Sequence, residues 1–324
     1  MTRIVRSIPL AAIRAARNRI AGAAIRTPLL RLDLSDAPAE VYLKLENLQP
    51  IGSFKVRGAS NAMGLASPEQ LGRGVYTASA GNMAQGVAWN ARRLDVPCRV
   101  IVPEGAPRIK VEAAHRLGAE VLEVPFDEWW QILEDHDHPG SAPGFFIHPV
   151  SDPAVIAGNG TIALEILEDL PDVDVVVAPF GGGGLVGGIA SALRFLKPEV
   201  KVYACEVETA APLAAALAAG SPAAIEHRRS FVDGIGGKTV LPEMWPLLEQ
   251  LVAGSLVVGL REVADAVGLL VAHSRVVAEG AGAAAVAAAL AGLTPGGKVV
   301  CVVSGGNIDS HKLARILEGE VPEP

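Results

Sequence analysis

Lys55 is the residue of this sequence best placed to act as a nucleophile. It follows an alternating apolar run at residues 41–46, which predicts a strand, and a helical pattern begins at about Phe54. Small residues and the Phe54 ring surround the lysine. Its amine can therefore be desolvated, which would lower its pKa and make it nucleophilic. Taken alone, the position also suits an ordinary surface lysine, because most lysines stay solvated.

A second group of residues is suited to an anion. Residues 79–82, Ser-Ala-Gly-Asn, follow a predicted strand and lead into a helical pattern from Met83. Small residues let successive backbone N–H groups converge, and a helix N-terminus adds partial positive charge. The segment therefore suits a carboxylate. Asn82 is either a helix N-cap or a side chain that hydrogen-bonds a ligand, and the residues alone favour neither.

Four consecutive glycines at residues 181–184 form the third candidate. They lie between a predicted strand at residues 174–180 and a helix that begins at Leu185. Such a run lets the backbone approach a phosphate closely at a helix N-terminus, whereas a simple strand-to-helix turn rarely needs four glycines. The run therefore predicts an anion site.

The same glycines also satisfy a dinucleotide-binding pattern. Residues 182–187 match G-x-G-x-x-G, and Glu206 ends the next predicted strand at about the ribose-binding distance. An NAD-dependent dehydrogenase is therefore the alternative from another functional class. The pattern has low specificity on its own, and no other stretch offers an obvious acid or base for hydride transfer.

Ser304 completes the set of candidate residues. It follows the apolar run at residues 299–303 and precedes Gly305, Gly306 and Asn307. Its hydroxyl either faces a ligand at the end of a strand or simply caps a turn. Ligands of open α/β sheets bind at the carboxyl ends of strands, where all of these corners are predicted to lie.

The elements that must position these residues follow an alternating order. Short apolar runs alternate with longer helical patterns, and the runs are continuous, as is typical of parallel strands covered on both faces. The sequence therefore predicts a doubly wound α/β fold. Strands are predicted at residues 41–46, 74–79, 98–103, 120–125, 144–149, 174–180, 201–207 and 298–304. Helices are predicted at residues 7–25, with Ser7 as N-cap, and at 83–94, 108–117, 155–169, 185–196, 260–276 and 282–291.

Composition narrows the class of protein. The 324 residues, half of them apolar and 19% charged, suffice for two domains with a large core. A net charge of -7 argues against nucleic acid or an anionic membrane as the main partner. The sequence has no signal-peptide pattern and no apolar run long enough for a membrane span. Its three widely spaced cysteines suit buried thiols in a reducing compartment, so we expect a cytoplasmic protein.

Several segments occur together in one order over nearly the whole chain. They are Lys44-Leu45-Glu46, Gly52-Ser53-Phe54-Lys55-Val56-Arg57-Gly58-Ala59, Ser79-Ala80-Gly81-Asn82, Ala84-Gln85-Gly86-Val87-Ala88, Val155-Ile156-Ala157-Gly158, Gly160-Thr161, the four glycines and Ser304-Gly305-Gly306-Asn307. This combination resembles the serine/threonine dehydratase group of the tryptophan-synthase-β-type (fold type II) pyridoxal-phosphate enzymes. The resemblance implies two doubly wound domains with mostly parallel sheets and the cofactor cleft between them. It also implies a large domain of residues 1–64 and 148–324, a small inserted domain of residues 65–147, and a homodimer.

The resemblance also implies a role for each candidate residue. Lys55, next to Phe54, would bind pyridoxal 5'-phosphate as a Schiff base and later move the Cα proton. Asn82 would hydrogen-bond the ring hydroxyl, and Ser304 would face the pyridine nitrogen. The phosphate would lie against Gly181, Gly182, Gly183, Gly184 and Leu185, and the substrate carboxylate against Ser79, Ala80, Gly81 and Asn82.

The activity so implied is that of an ammonia-lyase of amino-acid catabolism. Its reaction would be β-elimination of water from a β-hydroxy-α-amino acid, by default L-threonine or L-serine, giving a 2-oxo acid and ammonia. A neutral Ser304 does not enforce protonation of the ring, which favours prompt loss of the β-leaving group over transamination. Phenylserine or 3-hydroxyaspartate is the alternative substrate, and the apolar Met83, where the group often has His, would suit a bulky apolar substituent.

Three further positions bear on these expectations. Ala80 stands where racemases of the group carry a second serine, so racemisation should be minor. Asn159 replaces a frequent Gln and is expected to reshape the pocket. Glu279 lies either at the surface, which is favoured, or near the cofactor.

No metal is predicted. Related enzymes bind a divalent cation with two acids at a strand end, and Glu206 matches the first, but Pro212 occupies the approximate place of the second. The His-x-His at residues 136–138 could also bind a metal, but an exposed polar loop is favoured because few other ligands lie nearby.

Overall fold

Two separate sheets form the framework of the protein, described here from a computed structural model of residues 3–106, 108–137 and 144–324. The strands are β1 (Leu29–Arg31), β2 (Glu40–Lys44), β3 (Val75–Ala78), β4 (Cys98–Pro103), β5 (Glu120–Val124), β6 (Phe145–Phe146), β7 (Val175–Pro179), β8 (Lys201–Val207), β9 (Gly254–Val258) and β10 (Lys298–Val302). The α-helices are α1 (Leu10–Arg19), α2 (Lys55–Leu65), α3 (Pro68–Gly72), α4 (Asn82–Leu94), α5 (Arg108–Arg116), α6 (Phe126–Asp135), α7 (Pro153–Asp169), α8 (Gly184–Leu196), α9 (Pro212–Ala219), α10 (Trp245–Leu251), α11 (Leu260–Leu269), α12 (Gly280–Leu290) and α13 (Ser310–Leu317).

The larger sheet has the strand order β1-β2-β10-β7-β8-β9, and the smaller has the order β5-β4-β3-β6. All neighbouring strands pair in parallel except β1, which is antiparallel to β2. The predicted α/β class with mostly parallel sheets is therefore confirmed. All strands of the smaller sheet lie between Val75 and Phe146. The domain limits at residues 65 and 147 stay a prediction.

Pairing in the larger sheet brings distant parts of the sequence to one edge. Val300 of β10 is opposite Tyr42 of β2 on one side and Val176 of β7 on the other. The carboxyl ends of these three strands consequently meet where ligands of such sheets bind. Lys55 follows β2, the glycine run follows β7, and Ser304 follows β10.

Helix α2, which begins at Lys55, packs closely against α7. A Cβ atom on Gly58 of α2 would lie 2.7 Å from Cγ1 of Val155, and one on Gly158 of α7 would overlap the carbonyl group of Arg57. The two helix backbones are therefore in direct contact, which fixes the distance of α2 from the body of the larger sheet.

A buried network of charges fixes the orientation of α2. The Arg57 guanidinium donates to Glu46 (2.7 Å) and Glu165 (2.6 Å), and the Lys44 ammonium donates to Glu165 (2.6 Å). Two positive and two negative side chains are thus paired away from solvent. Removing one partner would leave a buried charge unpaired, at a cost of about 3–5 kcal/mol. The network therefore holds α2 against β2 and α7.

Several element boundaries differ from the sequence-based predictions. Helix α1 begins at Leu10 with Pro9 as its N-cap, and the Ser7 hydroxyl is buried without a hydrogen-bond partner, so the prediction of a Ser7 cap is wrong. The strand predicted at 144–149 is limited to two residues. Helix α11 ends at Leu269 and continues as a π-helical turn to Ser274.

Membrane-spanning helices were also searched for. Across the residues that the structure describes, no helix combines the length and the apolar character needed to cross a bilayer.

Candidate active site

The backbone around Lys55 is held by the carboxyl-terminal corner of β10. Ser53 forms a β-bridge with Gly305, and the N–H of Phe54 donates to the carbonyl of Ser304 at 3.0 Å. The Ser304 side chain is 3% exposed. Two of the predicted corners are therefore adjacent, although about 250 residues separate them in the chain.

The Lys55 amine has the environment that its proposed chemistry requires. Its Nζ donates to the carbonyl of Pro149 at 2.8 Å and lies 5.3 Å from the centroid of the Phe54 ring. Within the described residues no carboxylate forms an ion pair with it. Burial lowers the pKa of this amine to about 8. A substantial fraction is therefore uncharged near neutral pH, unlike that of a surface lysine.

The anion corner after β3 has Asn82 as the first residue of α4, with Gly81 as N-cap. The Asn82 side chain does not cap the helix. Its Nδ2 donates to Glu279 at 2.8 Å, and its Oδ1 accepts from Asn307 at 2.8 Å. The first N–H groups of α4 have no intrahelical partner and remain available to a carboxylate. The structure therefore excludes the helix N-cap role for Asn82, and its role in binding a ligand stays a prediction.

Glu279 precedes α12 and lies inside the site. Its side chain is 7% exposed, so the surface position favoured from the sequence is wrong. Burial, assisted by the charge of Asp233, raises the pKa of this carboxyl to about 7, and the Asn82 hydrogen bond opposes the shift. An added Cβ on Gly305 would lie 3.2 Å from Nδ2 of Asn82, which places the carboxyl end of β10 beside this pair.

The glycine run forms a turn in which three of the four positions, residues 182–184, have little room for a side chain or a backbone conformation that disfavours one. Gly183 has a φ of +98°, which L side chains rarely adopt. A Cβ on Gly184 would lie 2.7 Å from the Val150 carbonyl oxygen, and one on Gly182 would lie 2.6 Å from Cγ1 of Val150. The turn therefore packs on the residue next to Pro149. It leads directly into the N-terminus of the 13-residue helix α8, where an anion is stabilised.

The side chain of Asn159 stabilises this turn by a hydrogen bond. Its Nδ2 donates to the carbonyl of Gly184 at 3.1 Å, and its side chain is buried. Met83 is 1% exposed and packs in a core cluster with Met63, Ile147 and Val155. Asn159 therefore holds the glycine turn, and Met83 packs in the core. The expectation that these two residues shape the substrate pocket gains no support from their positions.

Glu206 cannot serve the dinucleotide alternative. Its carboxylate accepts the N–H groups of Leu213 and Ala214, each at 2.8 Å, and the Ser255 hydroxyl at 2.6 Å. The side chain is fully buried and holds the N-terminus of α9, so neither oxygen is free for a ribose hydroxyl. Pro212 is the first residue of that helix and offers no carboxylate for a metal. Of the His-x-His motif, His138 lies outside the described residues.

The site also contains groups that sequence reasoning did not single out. The Pro149 carbonyl, the Val150 side chain and the Glu279–Asn82 contact all arise from tertiary packing. A backbone carbonyl has no signature in a sequence, so Pro149 could not have been found. The glycine and alanine residues around Glu279 are typical of a closely packed helix start, and they could have indicated that Glu279 is buried.

The residues present fit pyridoxal phosphate. A glycine turn at a helix N-terminus suits the phosphate, the Lys55 amine with its pKa lowered to about 8 suits a covalent bond to an aldehyde, and the buried Ser304 offers a neutral hydroxyl. The individual cofactor-binding roles stay predictions, and the residues concerned are Phe54, Asn82, Gly181, Gly182, Gly183, Gly184, Leu185 and Ser304.

Comparisons with known proteins agree with this fit. A family model described as pyridoxal-phosphate dependent enzyme matches residues 20–305. The L-threonine ammonia-lyase of Thermotoga maritima is 44% identical over 282 residues, which cover 86% of this chain and 70% of that protein. The catabolic L-threonine dehydratase of Escherichia coli is 36% identical over 308 residues, or 93% of each chain. The structure of maize serine racemase superimposes with a TM-score of 0.88 at 30% identity, covering 96% of this chain and 97% of the other.

Proposed function

The chain belongs to the pyridoxal-phosphate dependent enzymes, and we propose that within this family it dehydrates and deaminates L-threonine or L-serine. The reaction is a β-elimination that uses pyridoxal 5'-phosphate. A β-hydroxy-α-amino acid loses water, and the released enamine hydrolyses to a 2-oxo acid and ammonia. The relatives named as L-threonine ammonia-lyase and dehydratase support threonine as the substrate.

The observation that carries the proposal is the environment of the Lys55 amine. It donates to the Pro149 carbonyl, its pKa is lowered to about 8, and no carboxylate of the described residues forms an ion pair with it. An amine in this state is nucleophilic enough to bond the cofactor and basic enough to accept the Cα proton of a substrate.

Each remaining residue of the site has a defined task in this proposal. When bound, pyridoxal phosphate supplies an electron sink for the bond broken at Cα. The turn at residues 181–184 and the N–H of Leu185 would hold its phosphate, and Asn82 would hold its ring hydroxyl. Ser304 would face the ring nitrogen with a neutral hydroxyl, which favours loss of the β-hydroxyl group over transamination.

The substrate carboxylate would lie at residues 79–82. There the N-terminus of α4 follows the carboxyl end of β3, so several N–H groups converge beside partial positive charge. Ala80 presents a methyl group at this corner and offers no base on the face opposite Lys55. We therefore expect elimination to exceed racemisation.

The assembly and location of the protein are further parts of the proposal. We propose a homodimer, as the resemblance to the family implies. We also propose a location in the cytoplasm, because the three cysteines are free thiols, two of them buried, as in a reducing compartment. Residues 65–147 would form a small domain inserted in a large domain of residues 1–64 and 148–324. The ion pair of Lys110 with Asp233, 2.9 Å apart, joins these two parts beside Glu279.

The absorption spectrum of the purified protein tests the function directly. We expect a visible band of lysine-bound cofactor that is absent from Lys55→Ala, and release of 2-oxobutanoate from L-threonine. A band without turnover would keep the family and direct the assay to phenylserine and 3-hydroxyaspartate. Absence of the band after incubation with pyridoxal phosphate would contradict the proposal.

A further inference from the structure

The turn at residues 148–151 connects β6 to α7 and is built around the side chain of His148. The imidazole is 2% exposed. Its Nδ1 accepts the N–H of Ser151 at 2.8 Å and the N–H of Val150 at 3.1 Å. Its Nε2 lies 3.1 Å from the carbonyl oxygen of Leu133, near the end of α6. One side chain therefore bonds to three backbone groups from two segments.

These contacts determine the protonation state of the ring. Because Nδ1 accepts two backbone N–H groups, it must carry a lone pair, and the ring proton must be on Nε2, where it is donated to Leu133. A second proton on Nδ1 would face both N–H groups. Burial and the neighbouring His136 lower the pKa of His148 to about 3, in agreement with this geometry. The ring is thus a neutral acceptor at its Nδ1 throughout the physiological range.

The neighbouring groups form a hydrogen-bonded cluster rather than a metal site. Ligand atoms of His136, His148 and Glu243 lie within 4.8 Å of one another. Both nitrogens of His148 are already used, however, and Nε2 of His136 lies between Glu243 (3.3 Å) and the Ser151 hydroxyl (3.2 Å). The two imidazole rings stack with centroids 4.2 Å apart. The cluster therefore packs His148 in place.

Two features of the candidate active site rest on this turn. The carbonyl of Pro149 accepts the hydrogen bond of the Lys55 amine. The next residue, Val150, makes the close contacts with Gly182 and Gly184 that shape the glycine turn. A shift of the segment at residues 148–151 would consequently move the Pro149 carbonyl, which accepts from Lys55, and Val150, which packs against the glycine turn, at the same time.

We propose that His148 is a positioning residue for Lys55 and the glycine turn, acting through the unprotonated Nδ1 that holds the N–H groups of Val150 and Ser151. This inference rests on the proposed function, in which those two elements hold the cofactor. Among the described residues, the hydrogen bonds of the His148 side chain go to Leu133, Val150 and Ser151, and none goes to Lys55 or to the glycines. Its effect is transmitted by Pro149 and Val150.

Two conservative variants separate this role from simple packing. In His148→Asn, Oδ1 stands near the position of Nδ1 and can accept the same N–H groups, but the donor to Leu133 is lost. In His148→Gln, the longer amide reaches the position of Nε2 and fills more of the volume, but the acceptor at Nδ1 is lost. A packing role requires Gln to be tolerated at least as well as Asn, whereas positioning through Nδ1 requires the opposite.

The variants are compared as holoenzymes with Val102→Ala, which perturbs the core of the smaller sheet away from the turn. The readouts are the dissociation constant of pyridoxal phosphate, the pH dependence of the visible band, and the ratio of kcat to KM. We expect His148→Gln to bind the cofactor about tenfold more weakly or worse, the loss associated with one buried hydrogen bond. We expect His148→Asn to stay within about threefold of wild type.

Nitrogen-15 spectra of the histidine rings provide a second measurement on the wild-type holoenzyme. We expect one neutral ring, absent from His148→Asn, that carries its proton on Nε2 and does not titrate between pH 5 and 8. Equal cofactor affinity of the Asn and Gln variants, or tighter binding by Gln, would overturn the proposal. A proton found on Nδ1 of His148 in the wild-type spectra would also overturn the proposal. This measurement tests the proposal even where the variants fail to fold. A wild-type protein without the visible band would instead refute the proposed function.

Discussion

The side-chain amide of Asn82 donates a hydrogen bond to the carboxyl group of Glu279 across 2.8 Å. Asn82 begins a helix on the smaller sheet, and Glu279 is the N-cap of a helix on the larger sheet. The contact therefore links a helix of the smaller sheet to a helix of the larger sheet within the candidate site. Burial and the charge of Asp233 raise the pKa of this carboxyl to about 7, so its charge changes in the physiological range.

Replacing Glu279 by Gln should make stability less dependent on pH. In the folded protein the pKa of Glu279 is above its ordinary value of 4.5. The native state therefore binds a proton that the unfolded state releases, and stability falls as pH rises through about 7. The wild type should lose about 3 kcal/mol more than Glu279→Gln between pH 4.5 and pH 8.

Denaturant unfolding of both proteins at several pH values measures this difference, with both in the same state of cofactor loading. Parallel pH profiles for the two proteins would contradict the raised pKa. A wild-type stability that instead decreases as the pH falls below 4.5 would indicate that the pKa of Glu279 is lowered in the folded protein.

Replacing Lys55 by Ala should abolish both the visible band and turnover. The lysine is the proposed covalent ligand and base, and losing such a group reduces turnover by about a thousandfold or more. The exposed Lys201 provides the matched control, because Lys201→Ala removes the same charge far from the site. Retention of the band in Lys55→Ala would show that another amine binds the cofactor.

Alanine substitutions at two positions of the glycine turn should have different effects on the stability of the protein. An added Cβ at Gly184 meets a backbone carbonyl at 2.7 Å, whereas at Gly181 the nearest atom is 3.6 Å away. We expect Gly184→Ala to lower the free energy of unfolding by about 1–3 kcal/mol and Gly181→Ala to change it by less than about 1 kcal/mol. Thermal and denaturant unfolding of the two variants test this order, which equal losses would contradict.

Glu206 should prove to be structural. Its removal leaves the N–H groups of Leu213 and Ala214 and the hydroxyl of Ser255 without their acceptor. Glu206→Ala should therefore cost about 2–4 kcal/mol of stability, whereas the exposed Glu199→Ala should cost less than about 0.5 kcal/mol. A chelator should not change the stability of the wild type. Stabilisation of the wild type by added Mg²⁺ that is lost in Glu206→Ala would identify a metal site instead.

The sequence sufficed for most of the parallel strands and for the corners that follow them. The runs at 98–103 and 201–207 occur as predicted because a buried parallel strand is apolar along its whole length. The edge strands β1 and β9 were missed, since their side chains are largely half-buried or exposed and show no continuous apolar run. Helices α6 and α10 were also missed. Their boundaries depend on packing between distant segments.

The site was predictable only where its signal was local. A glycine run and a lysine at a strand-to-helix corner can be read from neighbouring residues, and the roles assigned to Lys55 and to residues 181–184 stay predictions. The partner of Asn82 lies 197 residues away, and the group that faces Lys55 is a carbonyl. Both depend on how the two sheets meet, which no short segment specifies.

The pairing of β2 with β10 has a consequence for biosynthesis. Strand β2 is synthesised long before its neighbour β10, which begins only at Lys298. The smaller sheet, whose strands all lie between Val75 and Phe146, can form long before that. We therefore expect β2 to keep one edge unpaired while the residues up to β10 are synthesised, a state that is prone to aggregation. The N–H of Phe54 donates to the Ser304 carbonyl, so the neighbouring Lys55 gains its final environment only after Ser304 has been synthesised.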